Sequence, residues 1–471
     1  MKIVSRLMMV VMVVMLASWL LSTGCSKDGG VGVAPDLGDV TGPGEEIEPP
    51  DIASVEDIPP EETPETPAIL FQGQPLYALF QGQFVKKLTG GFGDEANALF
   101  GYSVSISGDR LMVGQPHKDS PDGDAGAGAA YIYKNDGGWS GEWSEIFDWG
   151  TLTNIHGGHS VSISGDNAIV GIPHRSDSSS SVFDVGAVIL YKHDGTSWGS
   201  PQERWASDLH EDDEFGASVS MHGDYAIVGA PYKENAPFSV RGAAYIFKLD
   251  GGSWVEDTKT GLGTFPSDNE FGYSVAIHGD SAIIGAPQYS TGKKGKARIY
   301  IRDNSDVWNG GVSFVPAGIS SDAMFGFSVA IGEKYAVVGA PYDDHVKDNA
   351  GAAIVYERVG DEWVEKLKLY SNSPKQNALF GASVAVSGDY IVVGAPEEYS
   401  FSSKAGAVYV FRHDGADWGT PKRIDAAVAG DIEEDAGFGS SVAIDGTTVV
   451  VGARKKDGGA GADAGAVYIF K

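Results

Sequence analysis

A chain of 471 residues with a formal net charge of -30 repels polyanions, which argues against DNA, RNA or an anionic lipid surface as a partner. Its single cysteine forms no intramolecular disulfide and builds no cysteine-based zinc site. The length would hold three ordinary domains, yet a repeat running from about residue 84 to the end points to one large closed unit.

The chain opens with Lys2 and Arg6, then an apolar stretch from Leu7 to Leu21 broken only by Ser18, then Ser22-Thr23-Gly24-Cys25. A charged start, a short apolar run and small residues at a cut point read as a signal peptide over residues 1–24. The run is short for a membrane-spanning helix, which needs about 20 apolar residues. The stretch resembles the bacterial lipoprotein signal, with Ser22 standing where that family usually has Leu. The resemblance implies cleavage before Cys25, lipid attachment to Cys25, and anchoring in the cell envelope. With Ser26 after the cysteine, it implies the bacterial outer membrane or cell surface.

Residues 25–68 follow as a lipidated cysteine plus an acidic, Pro- and Gly-rich tether in which Lys27 is the one base. Such a composition buries too little apolar surface to offset its ordering entropy, so disorder is expected. Fully extended, it would reach on the order of 130 Å. The third segment, residues 69–471, starts with a duplication, Leu70-Phe71-Gln72-Gly73-Gln74 and Leu79-Phe80-Gln81-Gly82-Gln83, whose role the sequence leaves open.

From there one phrase recurs seven times. The clearest copy is Phe215-Gly216-Ala217-Ser218-Val219, then Gly229-Ala230-Pro231, then Gly242-Ala243-Ala244-Tyr245-Ile246-Phe247. Its opening glycine falls at Gly101, Gly158, Gly216, Gly272, Gly326, Gly381 and Gly439, at intervals of 54 to 58 residues. Short alternating runs between turn signals predict four strands per copy. Strand a is Ser-Val-x-Ile or its like, and a tight turn, usually with Gly-Asp, leads to strand b, which ends in Gly-Ala-Pro. Strand c follows a variable loop, and a turn then leads to a Trp that opens strand d: Trp139, Trp198, Trp254, Trp308, Trp363 or Trp418. Seven such units predict an all-β fold, a seven-bladed β-propeller of four-stranded antiparallel blades. The seventh copy stops after strand c, while Phe84-Val85-Lys86-Lys87-Leu88 upstream matches the strand d at Trp363-Val364-Glu365-Lys366-Leu367. The last blade is therefore expected to be closed by this N-terminal strand.

The Phe-Gly opening and Gly-Ala-Pro step resemble the FG-GAP repeats of the integrin α-chain propeller, and more closely those of bacterial FG-GAP repeat proteins. Copy two departs with Gly157-Gly158-His159 and Gly171-Ile172-Pro173, copy one with Gly114-Gln115-Pro116, and copy seven with Gly452-Ala453-Arg454. The integrin resemblance would imply calcium held by Asp-x-Asp-x-Asp-Gly loops between strands a and b. Those turns are short here, as in Ser107-Gly108-Asp109-Arg110, and Asp122-Gly123-Asp124 is only a fragment of the pattern, so neither metal nor cofactor is expected. The Asp-Gly-x-x-Trp turns, such as Asp194-Gly195-Thr196-Ser197-Trp198, resemble the structural Asp-box of sialidase propellers.

Ser103, Ser160, Ser218, Ser274, Ser328, Ser383 and Ser441 recur at one place, and seven equivalent serines argue for packing rather than a nucleophile. Most histidines also fall at equivalent places on a ring, and His156, His159 and His174 form the local group. Function tends to sit on variable loops held by a rigid scaffold, here the b–c and d–a loops of one face. The candidate ligand-face residues are Asp208, Asp212, Asp213, Tyr232, Tyr342, Asp343 and Asp344. The favoured expectation is a non-catalytic adhesion or interaction module for an extracellular or envelope protein or a glycan. The alternative is an exported propeller enzyme acting on polysaccharide through an acid pair among the loop carboxylates.

Overall fold

The computed structural model describes residues 70–71, 74–75, 80–90, 95–119, 125–139, 143–147, 153–177, 183–208, 210–236, 239–240, 242–260, 270–288, 292–399, 403–458 and 461–471. The signal peptide expected at 1–24, Cys25 and the tether expected at 25–68 lie outside the described residues.

Strands of three to eight residues, rich in Val, Ile, Tyr and Phe, pair into seven four-stranded antiparallel sheets. Blade one comprises Ser103–Ser107, Arg110–Gln115, Ala129–Lys134 and Trp143–Phe147. Blade three comprises Ser218–His222, Tyr225–Ala230, Ala243–Asp250 and Ser253–Thr260. In each, strand a lies innermost and strand d outermost. Seven apolar clusters each draw side chains from two neighbouring blades, so the core is a set of interfaces rather than a centre. In blade seven, Phe438–Asp445, Thr448–Ala453 and Ala466–Phe470 are completed by Phe84–Leu88, which pairs antiparallel with Ala466–Phe470. Gln83 and Lys471 exchange backbone hydrogen bonds of 2.8 and 3.0 Å just beyond that pairing. Upstream, Phe80 packs against the interface of blades six and seven and its N–H donates to the Tyr390 hydroxyl, so the second Leu-Phe-Gln-Gly-Gln copy seats the entering chain.

The recurring phrase builds the seams. Each strand a serine donates its hydroxyl to the Phe-Gly glycine carbonyl of the next blade, from Ser103 to Gly158 at 2.9 Å round to Ser383 to Gly439 at 2.8 Å. Ser441 donates to Gly101 at 2.8 Å and closes the circle. The glycine of Gly-Ala-Pro faces this bond. A Cβ on Gly229 would lie 1.9 Å from the Gly272 carbonyl oxygen and 2.3 Å from the Ser218 hydroxyl. The glycine before strand c bridges the next blade's Phe, as Gly242 does Phe271, at a positive φ of 74°. The Phe rings are buried, and Phe215 meets Tyr245 and Phe247 edge-on at centroid distances of 5.3 and 6.0 Å. Copy two has Gly157 in the Phe place, and Ile155 turns into the interface cluster with Met112 and Ala130 instead.

One strand assignment needs correction. Trp254, Trp308 and Trp363 lie in their d strands, but Trp139 precedes Trp143–Phe147. Trp198 and Trp418 bridge back to His193 and His413 within the c–d turn, and strand d starts only at Gln202 and Lys422. Pro201 and Pro421 intervene, and proline has no N–H to donate to a ladder. In the first of these turns Asp194 accepts the N–H groups of Thr196 and Ser197, both at 2.8 Å.

Two substitutions separate hydrogen bonding from steric fit. Ser218→Ala is expected to lower the unfolding free energy by about 1 kcal/mol. Gly229→Ala should cost about 3 kcal/mol or more, because backbone rather than a movable side chain blocks the new methyl. Urea midpoints at unchanged slope measure both. Deleting residues 84–88 should lower the melting temperature sharply, because it exposes Ala466–Phe470 as an unpaired edge.

Candidate functional site: the loop-face mouth of the propeller

Antiparallel order places the a–b and c–d turns at one end of the axis and the b–c and d–a loops at the other. The inner strands surround an axial cavity of about 670 Å³. Valines such as Val104, Val219 and Val329 and isoleucines such as Ile106 and Ile277 line it, and Glu333, Lys334, Asp389 and Asp445 stand at its turn end.

The residue after each Phe-Gly glycine stands at the loop end of strand a, and in blades one to three these residues touch. Tyr102 of blade one lies 4.9 Å, centroid to centroid, from His159 of blade two. Its hydroxyl and His159 Nε2 are 3.1 Å apart, and His159 Nδ1 lies 3.1 Å from the Ala217 carbonyl of blade three. A carbonyl only accepts, so Nδ1 carries the proton and Nε2 accepts from Tyr102. On the other side of Tyr102, the Arg454 guanidinium of blade seven sits 5.2 Å from its ring centre. Burial holds the His159 imidazole down to about 4, with the Ala217 hydrogen bond opposing it.

Beside this chain of contacts the imidazole of His156 lies 4.8 Å from that of His117 and 4.7 Å from that of His174. This corrects the expectation that the repeat-equivalent His117 and His174 stand apart on a ring. They follow the strand b prolines of adjacent blades, and the d–a loop carrying His156 passes between them. Burial first, and the neighbouring imidazoles next, push His156 down to about 3. His117 and His174 are also lowered by burial, with Asp184 and Asp212 opposing this at His174. The departures at His159 in copy two and Arg454 in copy seven thus meet at one sector of the mouth, blades seven, one and two. No group of three or more His, Cys, Asp or Glu that could hold a metal ion occurs among the described residues.

The residues selected from the sequence divide differently. Asp213 is buried and accepts from Lys233 Nζ at 2.8 Å, and Lys233 also reaches the Asp208 carbonyl oxygen. The Asp208 carboxylate accepts from the Tyr245 hydroxyl at 2.7 Å. Asp208 and Asp213 therefore serve an internal network of blade three, and Asp213 does not stand on the loop surface. Asp212 is half-buried beside the His174 group, and Tyr232 is exposed. In blade five, Asp343 is buried and accepts the N–H and hydroxyl of Ser320 at 2.7 and 3.0 Å. Exposed Asp344 donates its N–H to the same hydroxyl, and Tyr342 is half-buried, which pushes its phenol up. Sequence reasoning missed the buried role of Asp213 because an acidic d–a loop looks solvated until its fold partner, Lys233, is known. Arg454 was visible as a broken Gly-Ala-Pro, but its neighbour Tyr102 lies at the far end of the chain.

A family model described as FG-GAP repeat matches residues 84–133, 198–247, 266–301, 308–356, 363–411 and 425–470. The unmatched stretch between the first two holds the aberrant copy two. No curated protein matches the chain. Among solved structures, the crystal structure of Sqt1 from Chaetomium thermophilum is similar at 12% identity and a TM-score of 0.44, covering 80% of this chain and 84% of that one.

Asp213→Ala is expected to destabilise the propeller by about 3 kcal/mol, because it leaves Lys233 charged and buried with only Asp208 to face it. Chemical denaturation checks this. A second expectation concerns pH. The folded His156 and His159 bind protons less readily than a free imidazole at 6.5. Their contribution is therefore fully present above about pH 6.5 and is lost as pH falls, because the unfolded chain takes up protons first. Stability measured between pH 7 and about pH 4 should fall less steeply in a His156→Gln, His159→Gln double variant than in the native chain.

Proposed function

Because the chain belongs to the FG-GAP repeat family, we propose that its propeller is a non-catalytic interaction module that binds an extracellular or envelope protein or a glycan through the loop face. Lipid on Cys25 and the tether of residues 25–68 would hold it at the cell envelope, at the bacterial outer membrane or cell surface.

One observation carries this reading. The residues repeated in every blade are spent on the seams, whereas the individual ones, Arg454, Tyr102, His159 and the His117-His156-His174 group, gather at one end of the axis. The chain enters the propeller at the opposite end, where Gln83 pairs with Lys471, which favours the mouth as the side turned to a partner. A second reading, an exported enzyme acting on polysaccharide, draws support from the Tyr102 hydroxyl held on His159 Nε2. Its acid pair finds less support, since Asp208 and Asp213 are both engaged around Lys233 and Tyr245.

Residues 69–471 immobilised as bait against envelope extract and envelope polysaccharides test the two readings. A module retains its partner without new reducing ends, and an Asp344→Ala, Tyr232→Ala, Tyr342→Ala variant retains less of it at unchanged melting temperature. Release of reducing ends that disappears in Tyr102→Phe would overturn the non-catalytic reading.

A further inference from the structure

The seven residues that follow the Phe-Gly glycines are Tyr102, His159, Ala217, Tyr273, Phe327, Ala382 and Ser440. They occupy one level of the mouth, and their sizes are uneven. Tyr102 and His159 pair in blades one and two, and Tyr273 and Phe327 pair in blades four and five at a centroid distance of 5.2 Å. In a seven-bladed ring these two pairs stand roughly opposite each other across the axis. Small residues separate them: Ala217 in blade three on one side, Ala382 and Ser440 in blades six and seven on the other. All four residues are half-buried.

We infer that the mouth is a slot between two aromatic walls that takes a neutral oligosaccharide, entering over Ala217 and leaving over Ala382 and Ser440. This deepens the interaction-module reading and rests on it. Sugar rings present C–H faces that pack on aromatic faces, and a rim of hydroxyls that needs donors and acceptors close together. One wall adds the several N–H donors of the Arg454 guanidinium. Arg454 lies over Tyr102, His159 is held in a fixed tautomer, and the Tyr102 phenol is raised first by burial and least by Glu214, with Arg454 opposing both.

Charge and backbone argue against other occupants. A net charge of -30 disfavours an acidic polysaccharide. A peptide adding as a strand needs a free backbone edge. Along the inner strands of blades two to four that edge is capped. Ile163, Met221 and Ile277 each give their N–H to a serine hydroxyl of the preceding blade, Ser105, Ser162 and Ser220, at 3.0 to 3.1 Å.

The test displays neutral tetrasaccharides of β-linked glucose, xylose, mannose and N-acetylglucosamine beside tetragalacturonate and an unstructured peptide, with residues 69–471 as the probe. Retention of a neutral sugar is expected, weakened about ten-fold by Phe327→Ala at unchanged melting temperature and by His159→Ala under conditions where circular dichroism shows the variant folded. Phe183→Ala, on an exposed b–c loop of blade two, should leave it intact. Retention of only tetragalacturonate or peptide, or of no sugar, overturns the inference. So does neutral binding that survives both wall variants. If no sugar binds but an envelope protein is still captured through Asp344, Tyr232 and Tyr342, the slot is refuted while the interaction-module reading stands.

Discussion

The hydrogen bond from each strand a serine to the next blade's glycine carbonyl is the contact on which the ring depends. It requires two backbones to approach within a distance that leaves no room for a Cβ on the facing glycine, as at Gly229. Ser, Gly and the following Gly-Ala therefore recur together because they are parts of one joint. Outside copy two, the Phe of the phrase then fills the space behind the joint, as in copies three, six and seven against the aromatic residues of their own strand c.

A joint that links only neighbours leaves an open array unless the last meets the first. Ser441 reaching Gly101 does this on the inside, and Phe84–Leu88 on Ala466–Phe470 does it on the outside. Every interface then has both of its faces, and no blade presents a bare core. Once the ring is rigid, the places that deviate from the phrase are free to differ without loss of the scaffold, which is why Gly157, His159 and Arg454 can be accommodated. Ile155 illustrates the local compensation, since it enters the core where copy two lacks its Phe.

The polar residues of the loops divide by burial rather than by type. Lys233 with Asp213, and half-buried Arg423 with buried Glu398, place opposite charges in contact, where a buried member would be costly alone. Tyr245 and Tyr409 give their hydroxyls to such acids, so these networks tie the loops to strand c. Acidic loops that look solvated in sequence are thus partly structural. The side chains at the mouth differ: three of its histidines contact one another, and His159 joins Tyr102 to Ala217.

Blade number, strand order and the scaffold role of the repeated serine were legible in the sequence, because period-two alternation, turn residues and a 54 to 58 residue interval each report local or short-range geometry. The d strands were less so, since Pro201 and Pro421 delay pairing in blades two and six after a Trp that looks like a strand start. Only the tertiary structure could decide that His117 joins His156 and His174, that Arg454 lies over Tyr102, and that Asp213 faces inward to Lys233. Arg454 and Tyr102 are far apart in the chain and meet only because the ring closes, and a pattern read along one strand carries no information about which distant strand will lie beside it. The sequence by itself determined a seven-bladed scaffold, and closure of the ring determined which of its irregular residues stand together.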